Sequence, residues 1–365
     1  MKFIQLLLYP VSLLYGLIMW VRNRLFDWHI IRSEAFDRGV ICVGNLSFGG
    51  TGKTPHVEYI IRLIKDRYSI ATLSRGYGRE SEGFVLGSKK SNVKYIGDEP
   101  LQYIKKFDRI KVAVDEQRVR GIRTLITKFP ELDIFILDDA FQHRFVRAGL
   151  SILLTDYHEL YTTDHVFPAG RLREFRSGAK RADIIIVTKT PKIFSPITKR
   201  RIIEDLRARP HQQVFFSYIK YREPVPVYEN DLAFPSKVIY LLLFTCIPNE
   251  YPMKEHLERI CPDLTIIKFP DHHPYTISDL EKIRSTFCDL PSGKKAIITT
   301  EKDFMHLKSA ELGSVMKNIP IFYLPMETEF QGNDKAAFDR LILDFAEKNK
   351  SDFVQVQEES KNLSD

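Results

Sequence analysis

GVICVGNLSFGGTGKTPHVEYIIRLIK, residues 39–65, is the stretch that decides the fold. Its first six residues, 39–44, are apolar, β-branched and bounded by glycines, which reads as a short buried strand. From about Lys53 to Lys65 the spacing changes: Ile60, Ile61 and Ile64 give a helix with one apolar face. Between them lies Ser47, Phe48, Gly49, Gly50, Thr51, Gly52, Lys53 and Thr54. This run departs from the phosphate-binding pattern G-x-x-x-x-G-K-[ST] only at its first position, Ser47. Glycines let backbone amides turn inward around phosphate oxygens. Lys53 places a charge on the β- and γ-phosphates, the Thr54 hydroxyl is a ligand for Mg²⁺, and the helix N-terminus adds partial positive charge. The chain therefore reads as a nucleotide-binding protein that takes ATP with Mg²⁺.

Working outward, strand-like runs recur at 69–73, 110–114, 134–137, 152–154 and 184–187, with helical stretches between several of them. Strands apolar throughout, alternating with helices, predict a parallel sheet covered on both faces. Residues 223–236 hold Pro224, Pro226 and Pro235 among polar and aromatic residues and read as a linker. A second alternating set follows over 237–348. The expected class is α/β: a P-loop NTPase-like, mostly parallel sheet over 37–222, then a smaller α/β domain. The polar residues 349–365 read as a tail.

The chain has 365 residues, enough for two cores, and a net charge of +7, which favours an anionic partner without choosing one. Its four cysteines show no C-x-x-C spacing and predict neither a zinc site nor a disulfide framework. Phe3 to Val21 carries no charge over nineteen residues and is followed by Arg22, Arg24 and Arg32. The run is too long for the apolar region of a typical signal peptide and no A-x-A site follows it, which leaves a spanning helix, a helix lying in one leaflet and a buried core helix. Membrane contact by residues 1–36 is the preferred reading, with the arginines on the cytoplasmic side.

A P-loop needs acidic partners at a neighbouring strand end. IFILDDAFQH supplies Asp138 and Asp139 after four apolar residues. Asp98 and Glu99 in GDEP read, on residues alone, as the acidic first turn of a helix. Asp271, His272 and His273 read either as a surface loop or, if the second domain closes over the P-loop, as catalytic groups. The basic run Arg171, Arg173, Arg176, Lys180 and Arg181 is either a solvated face or a site for an anionic substrate or headgroup. It lacks the interleaved aromatics of single-stranded nucleic-acid binders, and no nucleic acid is expected.

Taken in order, VGNLSFGGTGKTP (43–55), SRGYG (74–78), GDEP (97–100), DDAFQH (138–143), PAGRLRE (168–174), DHH (271–273) and TEKD (300–303), after an apolar N-terminus with YGL, resemble the tetraacyldisaccharide 4′-kinase family over nearly the whole chain. The resemblance implies transfer of the ATP γ-phosphoryl group to the 4′-hydroxyl of a tetraacylated glucosamine disaccharide 1-phosphate. It implies a lipid-linked substrate at the cytoplasmic face of the bacterial inner membrane, no obligate protein partner, and two domains joined by a mobile two-stranded link. It puts the nucleotide on Ser47–Thr54 and Mg²⁺ near Thr54, Glu99, Asp138 and Asp139. It makes Asp98 the general base, paired with His272 rather than His273, with closure on ATP bringing the two together. It offers Arg75, Tyr77, Arg118, Gln142, His143, Arg171 and Glu174 for contacts to substrate or to the metal's surroundings. It leaves Glu301, Lys302 and Asp303 without roles. The competing expectation is a membrane-associated P-loop ATPase switch that phosphorylates no lipid.

Overall fold

In a computed structural model that describes residues 2–193, 195–228, 233–271, 273–307, 315–316 and 319–350, helix and strand alternate almost from the start. After α1 (Lys2–Asp27) come β1 (Gly39–Asn45), α2 (Lys53–Ile64), β2 (Ile70–Ser74), β3 (Val85–Leu86), α3 (Val93–Ile96) and α4 (Asp98–Lys106). Next are β4 (Lys111–Val114), α5 (Arg118–Lys128), β5 (Ile134–Asp138), β6 (Leu150–Asp156), β7 (Ile184–Thr188), α6 (Pro196–Leu206) and β8 (Gln213–Tyr221). The second half holds β9 (Val225–Pro226), β10 (Tyr240–Thr245), α7 (Tyr251–Ile260), β11 (Leu264–Lys268), α8 (Ile277–Asp289) and β12 (Lys295–Thr300). It ends with α9 (Glu301–Leu307), β13 (Ile321–Leu324), β14 (Met326–Phe330) and α10 (Asp334–Lys348).

Two sheets result. The larger runs β14-β8-β7-β6-β1-β5-β2-β4-β3 and is parallel except at its two edge strands. The smaller runs β11-β10-β12-β13-β9, with only β9 antiparallel. β1, β2, β5 and β7 are buried at every position, as expected of strands covered on both faces. Ile60, Ile61 and Ile64 bury α2 against this sheet, each with no exposed surface. In the parallel register Val43 lies beside Asp138. The carboxyl end of β5 therefore stands next to the point where β1 runs into its glycine-rich turn.

The expected boundary of the second unit needs correction. Residues 326–348 were expected there, but β14 pairs with β8 in the larger sheet and α10 packs on α2. The reason is alternation. Thr328 and Phe330 are buried while Glu327 and Glu329 pair with Arg222 and Lys220, the pattern of an antiparallel edge strand. The chain thus crosses between sheets twice, after β8 and at Pro325, and the Arg222 amide donates to the Pro325 carbonyl (2.9 Å) to bind the crossings together. Val225 and Pro226, in the expected linker, form the edge strand of the smaller sheet. Residues 351–365 of the expected tail lie outside the described residues.

Helix α1 docks through one narrow face. The Ser12 hydroxyl accepts from the Ala169 amide (2.8 Å), the Tyr15 hydroxyl donates to the Arg173 carbonyl (3.0 Å), and Asn23 donates to Glu174 (2.7 Å). The opposite face leaves Leu7, Val11, Leu13, Leu14, Leu17 and Ile18 each more than half exposed. Among the described residues no helix is long and apolar enough to cross a membrane.

Candidate active site

β1 ends in the fully buried Asn45, and the chain turns through Gly49 and Gly52, both at positive φ. Gly52 caps α2 at φ 85°, a left-handed conformation that a side chain disfavours. α2 opens on Lys53, whose Nζ lies 3.8 Å from Asp139 Oδ2. Arg173 grips the same carboxylate with two bonds, 2.8 and 3.1 Å. Burial raises the Asp139 pKa, but Lys53 and Arg173 outweigh it and hold the group below its ordinary range. Both Asp139 oxygens are therefore taken by cations. Asp139 anchors Lys53 here, a different arrangement from the metal ligand expected of it.

Asp138 is fully buried. Its Oδ2 accepts from the Tyr103 hydroxyl (2.8 Å), and its Oδ1 has no hydrogen-bond partner. Burial, with Asp139 adding to it, pushes its pKa up to about 6 against the pull of Tyr103 and Lys53. Glu99 is pushed up to about 8 by burial and by the negative charge of Asp138 and Asp98. The Thr54 hydroxyl donates to Glu99 (3.4 Å). Thr54, Glu99 and Asp138 thus present oxygens to one place beside Lys53, with an orphaned carboxylate oxygen and more negative charge than the protein neutralises. That donor set suits Mg²⁺. Among the described residues no three His, Cys, Asp or Glu side chains cluster tightly enough to hold a metal. Mg²⁺ takes one or two carboxylates and completes its shell with phosphates and water.

Asp98 begins α4 and is almost fully buried. Gly97, at φ 93°, precedes it, and a β-carbon there would lie 3.1 Å from the Tyr77 carbonyl oxygen. SRGYG and GDEP therefore pack directly on one another. The smaller unit reaches this helix at both ends. Lys302 Nζ lies 3.6 Å from Asp98 and 2.9 Å from Asp271. Glu301 pairs with Lys106 (2.7 Å), and Lys106 also pairs with the fully buried Glu58 of α2 (2.9 Å). Asp303 is structural: it accepts from Thr245, Tyr275 and Thr300 (2.9, 2.9 and 2.6 Å). His272 lies outside the described residues. His273 is bonded to Asp279 (2.9 Å) and stacked on Phe269.

The expected substrate contacts divide into groups. Arg118 and His143 line one cleft with Arg22, Arg32 and Arg123. Burial lowers the Arg118 pKa to about 10, and burial with Arg118, Arg75 and Arg22 nearby lowers His143 to about 4. Arg75 thus belongs electrostatically to this cluster, and exposed Tyr77 follows it on the same turn. Gln142 and Glu174 are instead committed to the scaffold. Gln142 donates to the Asn45 carbonyl (2.9 Å) and to Glu174 (3.1 Å), while Arg181 clamps Glu174 at 2.8 and 2.9 Å. Arg171 pairs with Glu159 and Asp164. A strand-like contact at Ser47 and Leu172 lays PAGRLRE along the phosphate-binding turn.

The family model described as tetraacyldisaccharide-1-P 4′-kinase matches residues 4–347. The chain belongs to this family. Curated members named tetraacyldisaccharide 4′-kinase include those of Parabacteroides distasonis, 46% identical over 92% of this chain and 93% of the relative, and Bacteroides thetaiotaomicron, 43% identical over 94% and 93%. The member from Flavobacterium johnsoniae is 44% identical over 96% of this chain and 99% of its own. A crystal structure of LpxK from Aquifex aeolicus in complex with ATP superposes with a TM-score of 0.70 at 26% identity, covering 94% of this chain and 99% of that one.

Within the family frame, three residues entered the site without having been singled out for it. Arg173 sat in a basic run whose members looked alike. Tyr103 and Lys106 lie on α4, a helix legible only at its acidic start.

Proposed function

We propose that this chain is the kinase its family name describes, moving the ATP γ-phosphoryl group to the 4′-hydroxyl of a tetraacylated glucosamine disaccharide 1-phosphate. One observation carries the reading. The glycine turn after β1, the buried carboxylate ending β5 and the acidic start of α4 converge beside Lys53. Lys53 and the start of α2 hold the phosphates, and Asp139 with Arg173 keeps the Lys53 ammonium in place. Thr54, Glu99 and Asp138 are the residues that would hold Mg²⁺, which when bound neutralises charge on the β- and γ-oxygens.

Asp98 accepts the proton of the attacking hydroxyl. Its Oδ1 is fixed by the Glu99 amide (2.9 Å), so the carboxylate is aimed before substrate arrives. His272 as its partner is part of this proposal. The cluster of Arg22, Arg32 and Arg118, with neutral His143 beside it, supplies the positive potential that an anionic sugar phosphate needs. The exposed apolar face of α1 lies in the outer part of one leaflet at the cytoplasmic surface of the inner membrane, while the acyl chains stay in the bilayer.

The test is transfer of ³²P from γ-labelled ATP into the organic phase with a tetraacyldisaccharide 1-phosphate. Label in the lipid, lost in Asp98→Asn with ATP binding retained, is the expected result. Release of inorganic phosphate alone would instead indicate an ATPase switch.

A further inference from the structure

The phosphate-binding turn is held open from outside. Four consecutive carbonyls, those of Gly49, Gly50, Thr51 and Gly52, each receive a hydrogen bond from a side chain elsewhere. Asn45 Nδ2 donates to Gly49 O (3.4 Å) and also to Thr51 Oγ1 (2.9 Å). Lys189 Nζ donates to Gly50 O. Thr188 Oγ1 donates to Thr51 O (2.8 Å). His56 Nδ1 lies 2.7 Å from Gly52 O, and a carbonyl can only accept, so Nδ1 carries the proton. His56 Nε2 is then the acceptor for the Ser217 hydroxyl at 3.0 Å.

These donors come from β1, from β7 and its end, and from the first turn of α2, so the turn is gripped by three elements. In a trans peptide the N–H points away from the C=O. Pulling the carbonyls of Gly50, Thr51 and Gly52 outward therefore aims the amides of Thr51, Gly52 and Lys53 toward the inner side. The Thr51 amide is itself spent on Gly49 O (3.1 Å), which tightens the turn. The amides of Gly52 and Lys53 remain for an anion.

Lys189 adds a sign of construction. It adopts φ 56°, a conformation that L side chains rarely take, and its ammonium is fixed by Asp156 at 2.8 Å. Strain of this kind persists only where its surroundings enforce it. Thr188, His56 and Asn45 are all buried, so their bonds to the turn are shielded from water.

We infer that Thr188, Lys189 and His56 are positioning residues that preorganise the phosphate cradle by anchoring its carbonyls, so that its amides are set for the β-phosphate before nucleotide binds. None of them needs to touch the nucleotide phosphates for this. The cradle holds a β-phosphate, which ADP has and AMP lacks. The ratio of AMP to ADP dissociation constants therefore reports its quality apart from binding of the base and sugar.

The experiment is titration calorimetry with ADP and AMP on the full chain. Thr188→Val removes the hydroxyl at nearly constant volume, and Thr188→Ser keeps it. We expect Thr188→Val to shrink the ratio about tenfold, a difference of about 1.4 kcal/mol, with AMP affinity unchanged and Thr188→Ser behaving as wild type. Lys189→Met is read in the same way should the valine variant fail to fold. An unchanged ratio, or equal weakening of both nucleotides, would overturn the inference, since general loosening of the fold does not discriminate the β-phosphate.

Discussion

At the scale of single residues, the site depends on charges that the protein leaves unbalanced. Lys53 is paired with Asp139 and, in the proposed function, is also the cation that meets the phosphates. Lys53→Met should lower kcat/KM at least about 100-fold, equivalent to about 2.7 kcal/mol of transition-state stabilisation, measured by steady-state kinetics with ATP varied. His56 gives a prediction about pH. Burial lowers its pKa from 6.5 to about 4, despite its bond to the Gly52 carbonyl, so it is neutral in the fold. Between those two values the unfolded chain takes up a proton that the folded chain refuses, and stability falls as pH drops. The full effect is about 3 kcal/mol. Urea midpoints should decline from pH 6.5 toward pH 4, and His56→Gln should flatten that decline. The residues legible in the sequence were those in a patterned string, such as GGTGKT and DDAFQH. His56 was invisible because one histidine on an apolar helix carries no pattern; its role comes from Gly52 and Ser217, the latter 161 positions away.

At the scale of elements, α4 is the piece on which the molecule turns. Its first residues, Asp98 and Glu99, face the site, and its last, Lys106, joins Glu58 of α2 to Glu301 of α9. Lys106→Met would leave two buried carboxylates without their common cation. The expected loss is about 2–3 kcal/mol, the lower end for such a break because Lys106 is partly exposed and Gln102 and Arg62 stay on Glu58. A chemical denaturation midpoint would measure it, and an unchanged midpoint would mean that the ion triad contributes nothing. Strands with unbroken apolar runs were readable to within a residue or two: β1, β5 and β7 fell where their β-branched residues predicted. β8 and β14 were not. β14, Met326–Phe330, is an edge strand with alternating charge and apolarity, and its antiparallel neighbour β8, Gln213–Tyr221, is buried only over 215–217; such weaker patterns hide among turn residues.

At the scale of the whole molecule, two sheets meet over the nucleotide turn, and an outward-facing apolar helix lies beside them. Aromatic contacts link the two: Tyr15 of α1 meets Phe167, and Phe167 meets Phe48 of the phosphate-binding turn, with ring centroids 6.1 and 5.5 Å apart. Under the proposed function, a lipid held by α1 would be brought near ATP by these contacts. Leu14→Glu combined with Ile18→Glu should weaken co-sedimentation with anionic vesicles more than tenfold, since each buried aliphatic side chain is worth about 1.5–3 kcal/mol. Thermal stability should be unchanged, because both residues are exposed in the fold. The sequence's apolar run was legible, but its direction was not: hydropathy alone cannot say whether the docking face or the free face carries the leucines. The account as a whole is tested most directly by fragmentation mass spectrometry of the lipid recovered after incubation with ATP, Mg²⁺ and tetraacyldisaccharide 1-phosphate. The account predicts one added phosphate, on the non-reducing glucosamine at its 4′-oxygen; a product unchanged in mass, or phosphorylated at any other hydroxyl, would contradict it.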